Sequence, residues 1–242
     1  MIPKSHPRYE SLRTRELIAD GIKNGITSLH GLIAHGRGEA FDYLIGEKTN
    51  WFAKKSIGAA SALLLLARYP VISVNGNAAA LVPQGLVELS KMLDAPLEVN
   101  IFHASGQREI KIKNHIEKHG ATDVLLPGKK HKIKFLESNR KYANKNGILK
   151  ADAVFVPLED GDRAEALVKN GKKVITVDLN PLSRTSQKST ITIVDSLTRA
   201  MPLLIRTIKL YKSYNKSKLE KQLESYNNKK TLESALRKIR SS

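Results

Sequence analysis

The segment Val71-Ile72-Ser73-Val74-Asn75-Gly76-Asn77-Ala78-Ala79-Ala80 changes character at its middle. Its first four residues, rich in β-branched side chains, read as a strand. The alanines read as the start of a helix, and Asn-Gly-Asn makes the corner between them. The same change recurs downstream. Short apolar runs at 71–74, 97–102, 123–126, 153–156, 173–177 and 190–194 alternate with helical periodicity over 78–92, 105–119, 135–145 and 162–170. Strands of this length between helices predict an α/β, Rossmann-like fold: a mainly parallel sheet with helices on both faces.

Outward from that core, residues 1–69 read as a helical N-terminal segment. Leu12, Leu17, Ile18 and Ile22 share one helix face that stops at Gly25. A glycine-punctuated stretch, Gly31-Leu32-Ile33-Ala34-His35-Gly36-Arg37-Gly38-Glu39, reads as a loop ahead of Ala40-Phe41-Asp42-Tyr43-Leu44, and 51–67 as an apolar helix buried all round. Residues 201–242 read as basic C-terminal helices, with Leu203, Leu204, Ile208 and Tyr211, then Leu219 and Leu223, then Leu232, Leu236 and Ile239 at helical spacing. The whole of 1–242 is expected to form one α/β domain around the sheet core of 70–200, with the polar stretch 127–150 a mobile excursion. No internal repeat is visible.

Composition narrows the function classes. The chain has 41 Lys+Arg against 23 Asp+Glu, a formal net charge of +18, and no cysteine. Disulfides, thiolate metal sites and a cysteine nucleophile are excluded. The basic excess is local: 108–150 holds 12 basic and 4 acidic side chains, 206–242 holds 11 and 3. Lys129-Lys130-His131-Lys132-Ile133-Lys134 has almost no aromatic interleaving, so base stacking and a nucleic-acid partner are not expected. The longest apolar run, 57–67, falls short of the ~20 residues that span a bilayer. The first residues lack an apolar export signal. A cytoplasmic location without membrane contact is expected.

In an open parallel sheet, ligands bind at the carboxyl ends of the strands. Four such turns carry candidate groups. Asn75-Gly76-Asn77 reads either as an anion cradle or as an ordinary turn with an Asn cap. Glu159-Asp160-Gly161-Asp162-Arg163 either holds Mg²⁺ through one or two oxygens or caps helix 162–170, and its carboxylates need a cation such as Arg163 nearby. Ser183-Arg184-Thr185-Ser186, after Asp178-Leu179-Asn180, suits a phosphate or ribose, or is a capped polar loop. Asp195-Ser196-Leu197 follows the last strand. No Gly-x-x-x-x-Gly-Lys-Ser/Thr string occurs, and the Gly-x-Gly of 36–38 does not follow a strand. The histidines show no metal-ligand spacing.

Taken together, Ile2-Pro3-Lys4-Ser5-His6-Pro7-Arg8-Tyr9, the stretch from Gly31 to Leu44, Val156-Pro157-Leu158-Glu159-Asp160-Gly161-Asp162-Arg163 and Asp178-Leu179-Asn180-Pro181-Leu182-Ser183-Arg184-Thr185 resemble archaeal phosphopantothenate synthetase, the 4-phosphopantoate–β-alanine ligase family, over essentially the whole chain. The resemblance implies a homodimeric enzyme of coenzyme A biosynthesis. It would join 4-phosphopantoate to β-alanine with ATP, through an acyl-adenylate, releasing AMP and diphosphate. It implies ATP contacts from Arg15, Arg37, Asp178, Leu179, Asn180, Arg184, Thr185, Ser196 and Leu197. Arg37, Arg184 and a Mg²⁺ ion would neutralise charge in the reaction. Asp178, Asp160 or Asp162 would take the proton of the β-alanine amine. Asn75, Asn77, Asp160, Asp162 and Arg163 are candidates for phosphopantoate or metal. The pattern departs from the family at Ala104, where Arg is expected, and Arg108 and Arg140 are the cations at hand to fill that gap. The competing readings are a nucleotide-binding transferase or oxidoreductase on the same fold, and a nonenzymatic RNA-binding protein.

Overall fold

The computed structural model describes residues 3–6, 8–102 and 105–241. In chain order its strands are β1 (Pro70–Val74), β2 (Leu97–Val99), β3 (Val124–Leu125), β4 (Gly128–Lys132), β5 (Tyr142–Ala143), β6 (Ala153–Phe155), β7 (Lys173–Val177) and β8 (Ile191–Ile193). Six of them form one sheet in the order β3-β2-β1-β6-β7-β8, and every neighbouring pair is parallel. The predicted Rossmann-like parallel sheet is the observed one. The strand side chains alternate as a pleat requires. Ile72, Val74, Phe155, Ile175, Val177, Ile191 and Ile193 enter the larger core, while Val71, Val154, Val156 and Val174 enter a smaller one on the opposite face.

The helices are α1 (Tyr9–Lys23), α2 (Leu29–Ile45), α3 (Trp51–Leu66), α4 (Gly76–Leu81), α5 (Pro83–Leu93), α6 (Gly106–Lys118), α7 (Gly161–Lys169), α8 (Arg184–Lys188), α9 (Leu197–Tyr211), α10 (Lys216–Glu224) and α11 (Asn228–Arg240). The stretch predicted as one helix over 78–92 is two, divided at Pro83, whose missing N–H and fixed φ suit the first position of a new helix. α3 is apolar and largely buried, although Trp51, Lys54 and Lys55 in its first turn are exposed. No helix among the described residues is long and apolar enough to cross a membrane.

Two expectations are corrected. The loop predicted over 31–39 lies inside α2. Ser28 caps that helix by accepting from the Gly31 N–H at 3.2 Å, and Gly46 ends it at φ 86°. Residues 135–145 are not helical. Phe135 turns the chain at φ 64°, Asn139–Lys141 makes a 3₁₀ turn, and β5 pairs antiparallel with β4. This stretch, expected as a mobile excursion, is tied to β2. The buried Glu98 carboxylate accepts from Asn144 N at 2.9 Å and Ile148 N at 2.6 Å. Asn100 Nδ2 donates to Tyr142 O at 3.0 Å. Ile133, Leu136, Ala143 and Ile148 thereby cover the smaller core beside α7.

Candidate active site

The strand order reverses between β1 and β6, so the loops leaving their carboxyl ends part and open a crevice. Asn75 spans its floor. Its Oδ1 caps α4 by accepting from Ala78 N at 3.0 Å, and its Nδ2 donates to Pro157 O at 2.8 Å and Leu158 O at 3.1 Å. Asn77 donates to Gly31 O at 2.8 Å and accepts from the Thr27 hydroxyl, which holds the start of α2 against the β1 corner. The resulting cleft of about 310 Å³ is lined by Thr27, Ser28, Asn75, Asn77, Arg108, Arg140 and Asp160 among others. His103 and Ala104 lie outside the described residues. Arg108 and Arg140, the two cations named to fill the Ala104 gap, both face this cleft.

Beneath it lies a buried ionic cluster. Arg140 Nη2 is 2.8 Å from Glu159 Oε2, its Nη1 is 2.5 Å from Asp160 Oδ2, and its Nε donates to Asn100 Oδ1 at 3.0 Å. Arg163 pairs with the same Glu159 oxygen, Oε2, and donates to Ser73 Oγ at 3.2 Å. The cation expected beside these carboxylates is therefore Arg163 joined by Arg140. Arg163 is wholly buried, so its task is to hold Glu159 from behind. Asp160 occupies the position ahead of α7, yet its carboxylate turns to Arg140 and makes no capping bond. Asp162, in the first turn of α7, accepts from Arg163 N at 2.8 Å.

At the β7 end the loop closes on itself. Asp178 accepts from Asn180 N at 2.9 Å and from the Ser183 hydroxyl, and burial pushes its carboxyl upward against those bonds. Ser183 also caps α8, and the Ser186 hydroxyl donates to Asn180 O at 2.8 Å. Thr185 is buried, its hydroxyl donating to Glu159 O at 2.7 Å, which ties the β7 loop to the β6 loop. Arg184 reaches the Glu165 carboxylate through Nε at 3.0 Å, and this contact, with Lys169, holds Glu165 down to about 2. The hydroxyls of 183–186 are thus occupied in building the loop.

The amino-terminal third meets these loops through α2. Past β8, buried Asp195 accepts from Thr49 Oγ1 at 2.6 Å, Ser196 N at 2.8 Å and Arg199 Nε at 2.9 Å. Arg199 Nη1 continues to Asp42 of α2 at 3.0 Å. A Cβ at Gly38 would lie 3.8 Å from Leu179, and Glu39 accepts from Arg15 Nε at 2.9 Å and Ser11 Oγ at 3.1 Å. Arg37 stands beside Gly38 on the exposed side of the helix. A second cavity of about 310 Å³ lies between these elements, lined by Lys4, His6, Arg8, His35, Glu39, Asp42, Leu179, Ser196 and Arg199 among others. Leu197 is buried at the start of α9. His35 presents a buried Nε2 with no hydrogen-bond partner among the described residues, and burial lowers its pKa, so the ring is neutral near pH 7. The sequence places Asp195 in a candidate turn but assigns no role to His35, Asp42, Asp195 or Arg199. The Asp195-x-x-x-Arg199 spacing was the one available signal.

A reversing parallel sheet with two cavities at its carboxyl edge defines a doubly wound α/β protein of the Rossmann type. The chain belongs to the phosphopantothenate/pantothenate synthetase family, whose profile matches residues 52–242. A relative from Thermococcus kodakarensis, named 4-phosphopantoate–beta-alanine ligase, is 51% identical over 240 residues, covering 99% of this chain and 92% of the relative. One of the same name from Methanosarcina mazei is 50% identical over 238 residues, 98% of this chain and 94% of its own.

Proposed function

We propose that this chain is an AMP-forming ligase that joins 4-phosphopantoate to β-alanine with ATP, acting as a cytoplasmic homodimer in coenzyme A biosynthesis. The observation that carries the reading is the Asp42–Arg199 pair, which braces α2 past the end of β8, with Leu179 of the β7 loop lining the same cavity as α2. It gathers the family-like motifs of the N-terminus, 31–44 and 178–185 at one edge. ATP would lie along that edge, near Arg15, Arg37, Leu179, Asn180 and Ser196. Because the Thr185 hydroxyl is committed to Glu159, contacts there come from main-chain N–H groups. Phosphopantoate would enter the cleft at β1 and β6, where burial works against the charge of Arg108 and an anion would stabilise it.

The reaction balances in two steps. A carboxylate oxygen of phosphopantoate attacks the α-phosphorus, and the bond to diphosphate breaks. The amine nitrogen of β-alanine then attacks the acyl carbon, the bond to AMP breaks, and the amine proton passes to a base. Two anions must approach each other in the first step, so the work of the protein is positioning and neutralisation. Arg37 supplies charge at the α2 edge. Asp178 is the named carboxylate whose proton affinity burial raises, and Asp160 is already engaged by Arg140.

The carboxylates considered for Mg²⁺ do not fit a protein-held metal. Glu159 and Asp160 face guanidinium groups, and Asp162 is turned to the Arg163 N–H at the start of α7. Among the described residues no cluster of three acidic or histidine side chains is placed for one.

The test supplies ATP, 4-phosphopantoate and β-alanine in Mg²⁺ buffer and measures AMP. AMP that appears only with both organic substrates is the expected result; AMP independent of β-alanine refutes the ligase. Arg37→Ala should cut turnover by two or more orders of magnitude, about 3 kcal/mol of transition-state stabilisation, while the circular dichroism spectrum stays unchanged.

A further inference from the structure

A third cavity lies outside the carboxyl edge of the sheet. Its volume, about 830 Å³, exceeds the 310 Å³ of each cavity at that edge and is in the range that small-molecule sites occupy. Helices α1 and α9, the α4–α5 corner and the end of α6 wall it. The floor is apolar: Leu17, Val82, Pro83 and Pro202 keep surface open there, beside buried Leu81 and Met201. Gly85 lets α5 close on α9, since a Cβ would strike the Met201 side chain.

The polar groups around this floor call for a ligand of mixed character. Pro202 sits inside α9 and has no N–H to return to Thr198 O, so a main-chain acceptor opens where both residues line the cavity. His115 Nε2 is 3.2 Å from Ala79 O. A carbonyl can only accept, so that nitrogen carries the proton, and Nδ1 is the acceptor of the neutral ring. Burial, followed by His119, lowers the pKa of His115, which keeps the ring in this form near pH 7. His119 holds it edge-on, its own Nδ1 donating to His115 O at 2.8 Å. Two acceptors therefore want O–H or N–H donors. The charges want an anion. Lys209 is matched by Glu88 at 2.7 Å, but Arg13 meets Glu10 only at 3.8 Å, and Arg206 makes no ion pair among the described residues.

We propose that this cavity is a second ligand site, taking an anionic acyl compound that carries hydroxyl and amide donors on a branched apolar body, the class of the ligase's own product. In 4'-phosphopantothenate a phosphate and a carboxylate end the chain, with a dimethyl carbon, one hydroxyl and one amide N–H between them. The anionic ends suit Arg206 and Arg13, the two donors suit Thr198 O and His115 Nδ1, and the methyl groups suit the floor. The choice of the product rests on the proposed ligase reading; the chemistry of the cavity does not. The site shares a wall with the ATP edge. Glu10, Thr14 and Thr198 line both this cavity and the one beside Ser196 and Arg199, and Thr198 Oγ1 is 2.9 Å from Ser196 Oγ. Anions on the two sides of one wall repel, so each ligand weakens the other by the same factor.

The test titrates the full chain with 4'-phosphopantothenate by calorimetry and follows AMP formation in its presence. The wild type should bind two equivalents per subunit, and inhibition should level off at partial activity. Arg206→Glu should abolish one binding event. Pro202→Ala, which returns an N–H to Thr198 O, should weaken it about fivefold. Both substitutions should leave turnover without added product unchanged and remove or weaken the partial inhibition. Binding that is absent, or that ignores both substitutions, overturns the proposal. If Arg206→Glu fails to fold, Pro202→Ala decides. A chain that forms AMP while its product binding ignores both substitutions keeps the ligase and refutes the site; one that forms no AMP yet loses a binding event with Arg206→Glu does the reverse.

Discussion

Single side chains in this protein are held by partners distant in sequence, and that decides what was legible. Asn75 and Asn77 announce a corner, but nothing local says that one reaches Pro157 and the other Gly31. Glu159, Asp160 and Arg163 announce a charged turn, while Arg140, which completes it, sits in a segment read as an unrelated helix. Arg163→Ala should therefore cost about 3–5 kcal/mol in chemical denaturation, because it strips one partner from a buried carboxylate. The histidines give a second test. Burial lowers the pKa of His35, and burial followed by the neighbouring His119 lowers that of His115. Each is harder to protonate folded than unfolded, so the unfolded chain takes up more protons below about pH 6.5. Stability is then flat above that pH and falls below it, until the lowered folded values are passed. Melting temperature should drop between pH 7 and pH 5, by roughly 2–4 °C per kcal/mol lost in a chain this size, and His35→Gln with His115→Gln should flatten the drop.

At the scale of elements, the six strands of the parallel sheet were legible because each is a short, mostly apolar run that is largely buried, and the reversal of order in the structure then located the crevice. Two elements were not. The glycines of 31–38 look like loop punctuation, yet Gly31 is needed because a Cβ there would collide with the side chains of Asn77 and Thr27. A helix pressed this closely on a neighbour excludes side chains where propensity would ask for them. The end signals, Ser28 and Gly46, were present but lay outside the stretch read as a loop. The 135–145 segment shows helical spacing by chance of composition. What shapes it is Glu98, a buried carboxylate one strand away, which no local pattern contains. Gly147 closes that contact, since a Cβ would strike the Glu98 carboxylate. Gly147→Ala should destabilise by about 1–3 kcal/mol, through the loss of bonds to a buried charged group. Hydrogen exchange should quicken over 128–150 before the sheet opens. Because Arg140 belongs to this segment, turnover should fall with it.

For the whole molecule, the question left open by the sequence was what the basic C-terminal helices do. Their lysines are solvated, but their joint is specific. β8 pairs only with β7, so its outer edge would expose main-chain groups ready to pair with another chain. Asn228, opening α11, answers that edge: its Oδ1 accepts from Thr192 N at 2.9 Å, and its Nδ2 donates to Ser186 O at 2.9 Å and Ser189 O at 3.1 Å. Tyr226 adds its hydroxyl to Asn228 Oδ1 at 2.7 Å, and Leu232 and Ala235 seal the edge against the larger core. The charge then has a second use, since a strand edge flanked by cationic helices repels its own kind. Asn228→Ala removes three hydrogen bonds from this edge; Thr192 N keeps Tyr226 Oη and Ser186 O keeps the Thr192 hydroxyl, so the change should cost about 1–2 kcal/mol. A chain ended at 212 should keep the sheet's secondary structure yet aggregate on warming at low micromolar concentration, and more readily at high salt, where screening removes the repulsion. Light scattering against temperature measures this directly, and a truncated chain that stays clear at both salt concentrations would show that the edge needs no cover.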